Sequence, residues 1–199
     1  MFRHALALTG IAALAACDPV GVAQPVAMRD GDLIVTPPRG YCADPLSSRL
    51  RAGFAVFAPC VTLGTEAPIP AVLGVATVQA GDANSAMVVG AESSLRDFLI
   101  SPQGAGLLSK GGSGATVSVV SSQAFGGRVV VHFRDSGAPP MDGLGQDEWR
   151  AFTDVDDRLV TVSVRGLDDA PLSAGRGAAL LDQMVGGVSA GSTAVETTR

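Results

Sequence analysis

Lysine is almost absent from this chain: Lys110 stands beside 13 arginines, and only two histidines occur in 199 residues. The formal net charge is −5, so the clustered basic surface of a nucleic-acid binder has little to form from. No nucleic-acid partner is expected. Aromatics make up only 5% of residues, so the core must rest on smaller side chains, largely Ala and Val. No Cys-x-x-Cys or His-x-x-x-His spacing occurs, which leaves a metal ion without a recognisable ligand set. Paired carboxylates at helical or strand-turn spacing are missing too, as is any cofactor fingerprint. The sequence therefore points to no metal, no cofactor and no catalytic residue.

What the chain does contain is 47% hydrophobic residues, interrupted by 25 glycines and 12 prolines. That composition describes one globular domain rich in turns. It begins with "MFRHALALTGIAALAACDP": Arg3, an apolar run from Ala5 to Leu14, then small residues. The run is shorter than the roughly 20 residues a membrane-spanning helix needs and has the layout of a secretory signal peptide. Its last four residues, Leu14-Ala15-Ala16-Cys17, resemble the lipobox of bacterial lipoproteins. An ordinary signal peptide with an incidental cysteine is the competing reading. The resemblance implies that residues 1–16 are removed and that Cys17 carries the lipid, whose two or three acyl chains anchor the protein at about 0.8 kcal/mol per buried methylene. Asp18 follows directly, and in enterobacterial lipoproteins an aspartate there implies retention in the inner membrane. The expected location is the cell membrane, lipid-anchored on its periplasmic side.

With Cys17 assigned to lipid, Cys42 and Cys60 remain. In an oxidising compartment an even pair is expected to form a disulfide, worth roughly 3 kcal/mol for a loop of this size. A metal site or a redox pair are the alternatives. The first lacks ligands beside His132, and the second normally has its cysteines close together in sequence.

Residues 17–31 hold Pro19, Gly21, Pro25 and Gly31 without periodicity and read as a lipidated N-terminus and flexible tether. A single domain is expected over residues 32–190, and residues 191–199 read as a frayed tail. Within the domain, a short strand over residues 33–36 must stop at Pro37-Pro38. "AGFAVFAPCVTL" and "AVLGVATVQ" are nearly continuous apolar runs, as expected of strands at the centre of a covered sheet. Ser93 or Ser94 is placed to cap a helix with Leu95, Phe98 and Leu99 on one stripe, and Ser101-Pro102 to open a second short helix. Two hairpins follow, "TVSVVSS"/"RVVVHFRD" around "QAFGG" and "EWRAFTD"/"RLVTVSVRG" around "VDD". Ser173 then caps a helix through "SAGRGAALLDQMVGGVSA". The expected fold is α+β: a mostly antiparallel sheet of about six or seven strands with two helical segments packed on it in a layered sandwich.

This order of elements over residues 33–189 is loosely similar to the Mog1/PsbP-like αβα sandwich. The segments "PPRGYCADP", "APC", "SPQGAGLLSKGG" and "WRA…LVTVSVRG" resemble parts of alphaproteobacterial envelope lipoproteins, a likeness that brings no activity with it.

Local motifs for chemistry fail on context. "GAGLLSKGGSG" lacks the Gly before Lys of a phosphate loop and ends a helix instead of starting one. Ser113 in "GGSGA" lies on a helix-to-strand turn, the reverse of a nucleophile elbow. Ser113, His132 and Asp135 are the one triad that could be assembled, and an envelope hydrolase using Ser113 or His132 is the competing reading in the enzyme class. The least ordinary feature is basic. If the hairpins pair as read, Arg128, His132 and Arg134 can approach Arg150 and Arg165 to form a face for an anion or a protein partner. Asp135, Glu148 and Asp154 lie on the same strands and could neutralise it. The function expected is non-catalytic binding, as an accessory component of the cell envelope with a possible envelope protein partner. A carrier of anionic small ligands is a further alternative.

Overall fold

Prolines and glycines cut the apolar sequence into short segments, and the segments pair into two sheets. The computed structural model describes residues 24–191. In chain order the elements are β1 (Val26–Met28), β2 (Leu33–Val35), β3 (Tyr41–Ala43), β4 (Phe54–Pro59), β5 (Val75–Ala80), α1 (Glu92–Leu99), β6 (Val117–Phe125), β7 (Arg128–Asp135), β8 (Leu144–Val155), β9 (Arg158–Leu167), α2 (Ala174–Gly186) and β10 (Val188–Ala190). A seven-stranded antiparallel sheet has the order β3-β4-β5-β9-β8-β7-β6, and a three-stranded one has the order β1-β2-β10. The fold is α+β, with two helices on a mostly antiparallel sheet, as the patterning implied.

Both expected hairpins form. The β6–β7 turn is Gly126-Gly127, with φ of +55° and +74°. Two successive positive φ values suit the right-handed strand twist, and glycine adopts them without strain. In β8–β9 the reversal places Asp156 at φ +57°, a conformation that Asp tolerates better than most residues.

Because side chains alternate along a strand, the large sheet has two faces. On one, Ala55, Phe57, Ala76, Val78, Ala151, Val160, Val162 and Val164 pack with Met28, Leu33 and Val35 of the small sheet and with Leu180, Leu181 and Met184 of α2. Each fully buried large aliphatic side chain there contributes about 1.5–3 kcal/mol. On the other face, Val129, Val131 and Phe133 of β7 pack with Val88, Leu99 and Leu108, and Leu95 of α1 borders the cluster. On that face helix α1 packs on β6 and β7, while α2 packs on β8 and β9 from the opposite face.

Several expectations need correction. The tether is not free throughout residues 17–31: Val26–Met28 pairs with β2 and Met28 is fully buried, because its side chain completes the core beneath the small sheet. The last helix does not run through residue 190. It stops at Gly186, and Val188–Ala190 pairs with β2, since the backbone after Gly187 meets a free strand edge. Ser93 and Ser94 do not cap α1, which starts from Ala91 without a side-chain cap, while Ser173 does cap α2. The segment after Ser101-Pro102 makes only a 3-10 turn, Ala105–Leu107. Strand β3 was not foreseen, and β4 lies next to the edge strand, with β9 and its neighbours at the centre. The signal segment 1–16, Cys17, Asp18 and the tail beyond Gly191 lie outside the described residues.

Candidate functional site

Strand register decides which side chains can meet. In β7, Arg128, His132 and Arg134 alternate with Val129, Val131 and Phe133 and so face α2. Val131 stands opposite Arg150, and Glu148 stands opposite Arg165, so Arg150 and Arg165 lie on the α1 face. The five basic residues expected on one surface are therefore divided between two faces of the sheet. A single unit of register parity separates a cluster from its two halves.

On the α2 face each basic side chain already has a local partner. Arg128 bonds Asp182 at 3.0 Å and Arg134 bonds Asp147 at 2.7 Å. His132 stacks on Trp149 with 4.2 Å between ring centroids, and its Nε2 stands 3.5 Å from Asp147 without forming a hydrogen bond. Asp135 is an odd-numbered position, three residues along the same strand, and points to the opposite face from His132. It accepts the backbone N–H of Gly137. The triad Ser113, His132, Asp135 is thus not assembled, for the same reason of parity.

The α1 face holds the more organised site. Glu148 is almost fully buried and its carboxylate is gripped on both oxygens: Arg150 contacts Oε1, at 2.6 Å from Nη2 and 2.7 Å from Nε, and Arg165 contacts Oε2. Arg150 also donates to Ser163 Oγ and to the carbonyl of Leu107, each at 3.0 Å. Its guanidinium lies 5.2 Å from the centre of the Phe133 ring, within cation–π range. Arg165 donates to the carbonyl of Gly145 at 2.9 Å. Two arginines share one carboxylate, and the Arg165 charge also acts on the buried carboxylate of Asp135 on the same face. Charge-assisted hydrogen bonds of this kind are short and hold their geometry.

These groups floor one end of a groove of about 410 Å³ over the uncovered half of the sheet. Phe54 and Val56 of β4, Val75 and Thr77 of β5, and Ser163 of β9 line it, with Met141 and Leu144 as one wall. Sequence patterning identified Arg150 and Arg165 but not this setting, since Met141 of the wall comes from a loop with no periodic signal. Asp154, expected as a neutralising partner, instead accepts the backbone N–H groups of Met87, Val88 and Val89.

Cys42 and Cys60 are bonded to each other, tying β3 to the 3-10 turn that follows β4. No helix among the described residues is long and apolar enough to cross a membrane.

No protein-family model and no curated protein matches the chain. Among solved structures, the cyanobacterial PsbP of Synechocystis sp. PCC 6803 aligns over 89% of this chain and 98% of its own, with a TM-score of 0.51 and 12% identity. The fold is PsbP-like. The Ran-binding protein Mog1p of Saccharomyces cerevisiae aligns over 85% of this chain and 96% of its own, at a TM-score of 0.47 and 12% identity. At such identity the PsbP likeness concerns the fold alone.

Proposed function

We propose that this chain is a lipoprotein of the cell envelope, held through lipid on Cys17 to the periplasmic side of the membrane, that works by binding as an accessory component. The observation that carries the binding half is the uncovered part of the sheet: an apolar groove with a pre-built ion-paired floor. Glu148 has both oxygens engaged by arginines, so it is not free to take a proton from a substrate or a water. The groove's remaining polar side chains, Ser47, Thr77 and Ser163, have no base beside them among its lining residues. Rigid donors on a central sheet suit recognition more than turnover.

The anchoring half is supported by Leu14-Ala15-Ala16-Cys17 and by the Cys42–Cys60 bond, which suits an exported protein. Asp18 favours the inner membrane.

Two measurements test the reading. Globomycin is expected to make the uncleaved precursor accumulate, and normal processing in its presence would refute the lipoprotein assignment. A photo-crosslinking amino acid at Met141, in intact membranes, is expected to form adducts that the same probe at Asp97 on α1 does not. Equal labelling at both positions would remove the groove as the binding face.

A further inference from the structure

We infer that the groove takes a single-chain amphiphile with one negative charge, its anionic head on Arg150 and its apolar body along Phe54, Val56, Val75, Met141 and Leu144. The inference rests on the reading of the groove as the binding face and adds the class of ligand.

Charge comes first. The Arg165 charge acts on two buried carboxylates, Glu148 and Asp135, whereas Arg150 contacts the Glu148 carboxylate alone and is the more exposed cation lining the groove. Covering that charge with a neutral apolar molecule would remove its water and put nothing in its place, which is costly. A monoanion gives the exposed side of Arg150 a counter-charge in place of that water. A dianion would overshoot and bring a second negative charge towards Glu148.

Geometry then chooses between the arginines. Arg165 is nearly fully buried, whereas Arg150 keeps 17% of its side chain exposed. A guanidinium has five N–H donors. In Arg150, Nε is engaged by Glu148 and Ser163, and Nη1 and Nη2 each spend one hydrogen on Leu107 and Glu148. One hydrogen on each terminal nitrogen is left for a carboxylate or a phosphodiester to accept. Phe133, Glu148, Ser163 and Leu107 hold the fork in place, so little ordering cost falls on binding.

Size and lining supply the rest. A volume of about 410 Å³ is within the range of small-molecule sites. Beyond the cluster the groove offers a phenyl ring, valines, a methionine and a leucine, and Met141 on the wall can adapt to an irregular chain. Both a fatty acid and a lysophospholipid with a phosphodiester head have the required chemistry.

The test uses the full chain carrying Cys17→Ser, titrated calorimetrically with decanoate, decanol, acetate and lysophosphatidylglycerol. Decanoate is expected to bind about tenfold or more tightly than decanol, the gain from charge-assisted hydrogen bonds, and acetate not to bind measurably. In Arg150→Gln that preference is expected to vanish while decanol binding is kept. In Met141→Trp, which fills the groove, both affinities are expected to fall. Should Arg150→Gln fail to fold, Arg150→Lys keeps the charge, loses the fork and is expected to lower the preference. Tighter binding of lysophosphatidylglycerol than of decanoate supports a phospholipid-derived ligand, and the reverse supports a free fatty acid. Equal affinity for decanoate and decanol, no binding of either, or an unchanged preference in the Arg150 variants overturns the inference. So does binding of an apolar peptide with a free C-terminus in place of decanoate. Met141 adducts in membranes alongside any of these results would leave the binding face standing and reject only the ligand class.

Discussion

Asp135 is the last residue of β7, and its carboxylate is buried. Burial pushes its pKa up, but hydrogen bonds from Thr116, the Gly137 N–H and Ser109, together with the Arg165 charge, outweigh that and leave it below the ordinary value. A carboxyl lowered on folding stabilises the protein above its unfolded pKa of about 3.9 and loses that contribution as pH falls through the folded value. Asp135→Asn is therefore expected to narrow the stability gap between about pH 6 and about pH 3 in urea unfolding, because the variant cannot titrate there. An unchanged gap would mean that other carboxyls carry the acid sensitivity. Arg150, Arg165 and Glu148 could all be named from the sequence as members of a charged set. Which of them share a face could not, because that depends on the pairing Val131–Arg150 across strands 19 residues apart. Phe54, Val75 and Met141 read as ordinary apolar positions, since nothing local marks a side chain that lines an uncovered patch.

Helix α2 shows the same division one level up. Its Ser173 cap and its stripe of Leu180, Leu181 and Met184 were legible, as cap and stripe are local signals. Gly177 was not, since glycine inside a helix costs about 1 kcal/mol relative to alanine and gains meaning only from its neighbour. A Cβ on Gly177 would fall onto the indole ring of Trp149. Gly177→Ala is thus expected to destabilise the protein by about 1–3 kcal/mol despite better helix propensity, as overpacking does, and to perturb the fluorescence of the single tryptophan. A stabilised variant would show that the helix can lift off the sheet. The short strands β1, β3 and β10 escaped the sequence reading for a related reason. Three residues hold no periodicity, and each is a strand only because an edge lies beside it.

At the scale of the molecule, β3 is the outermost strand of the large sheet and the Cys42–Cys60 bond staples it 18 residues along the chain. Removing both thiols in Cys42→Ser/Cys60→Ser is expected to cost about 3 kcal/mol, read as a lower midpoint of one cooperative transition. Two separate transitions would show that the β3 edge melts independently of the sheet. By itself the sequence determined the class of fold, both hairpins, the capped closing helix, the cysteine pair and the absence of a local catalytic motif, because each follows from residue types a few positions apart. Only the tertiary structure decided that the arginines are divided between two faces, that α1 packs on the β6–β7 side of its face, and that Arg150, Arg165 and Glu148 meet in the groove beside it. Those outcomes depend on strand register and on where a helix ends up over a sheet, and no short stretch of chain contains either.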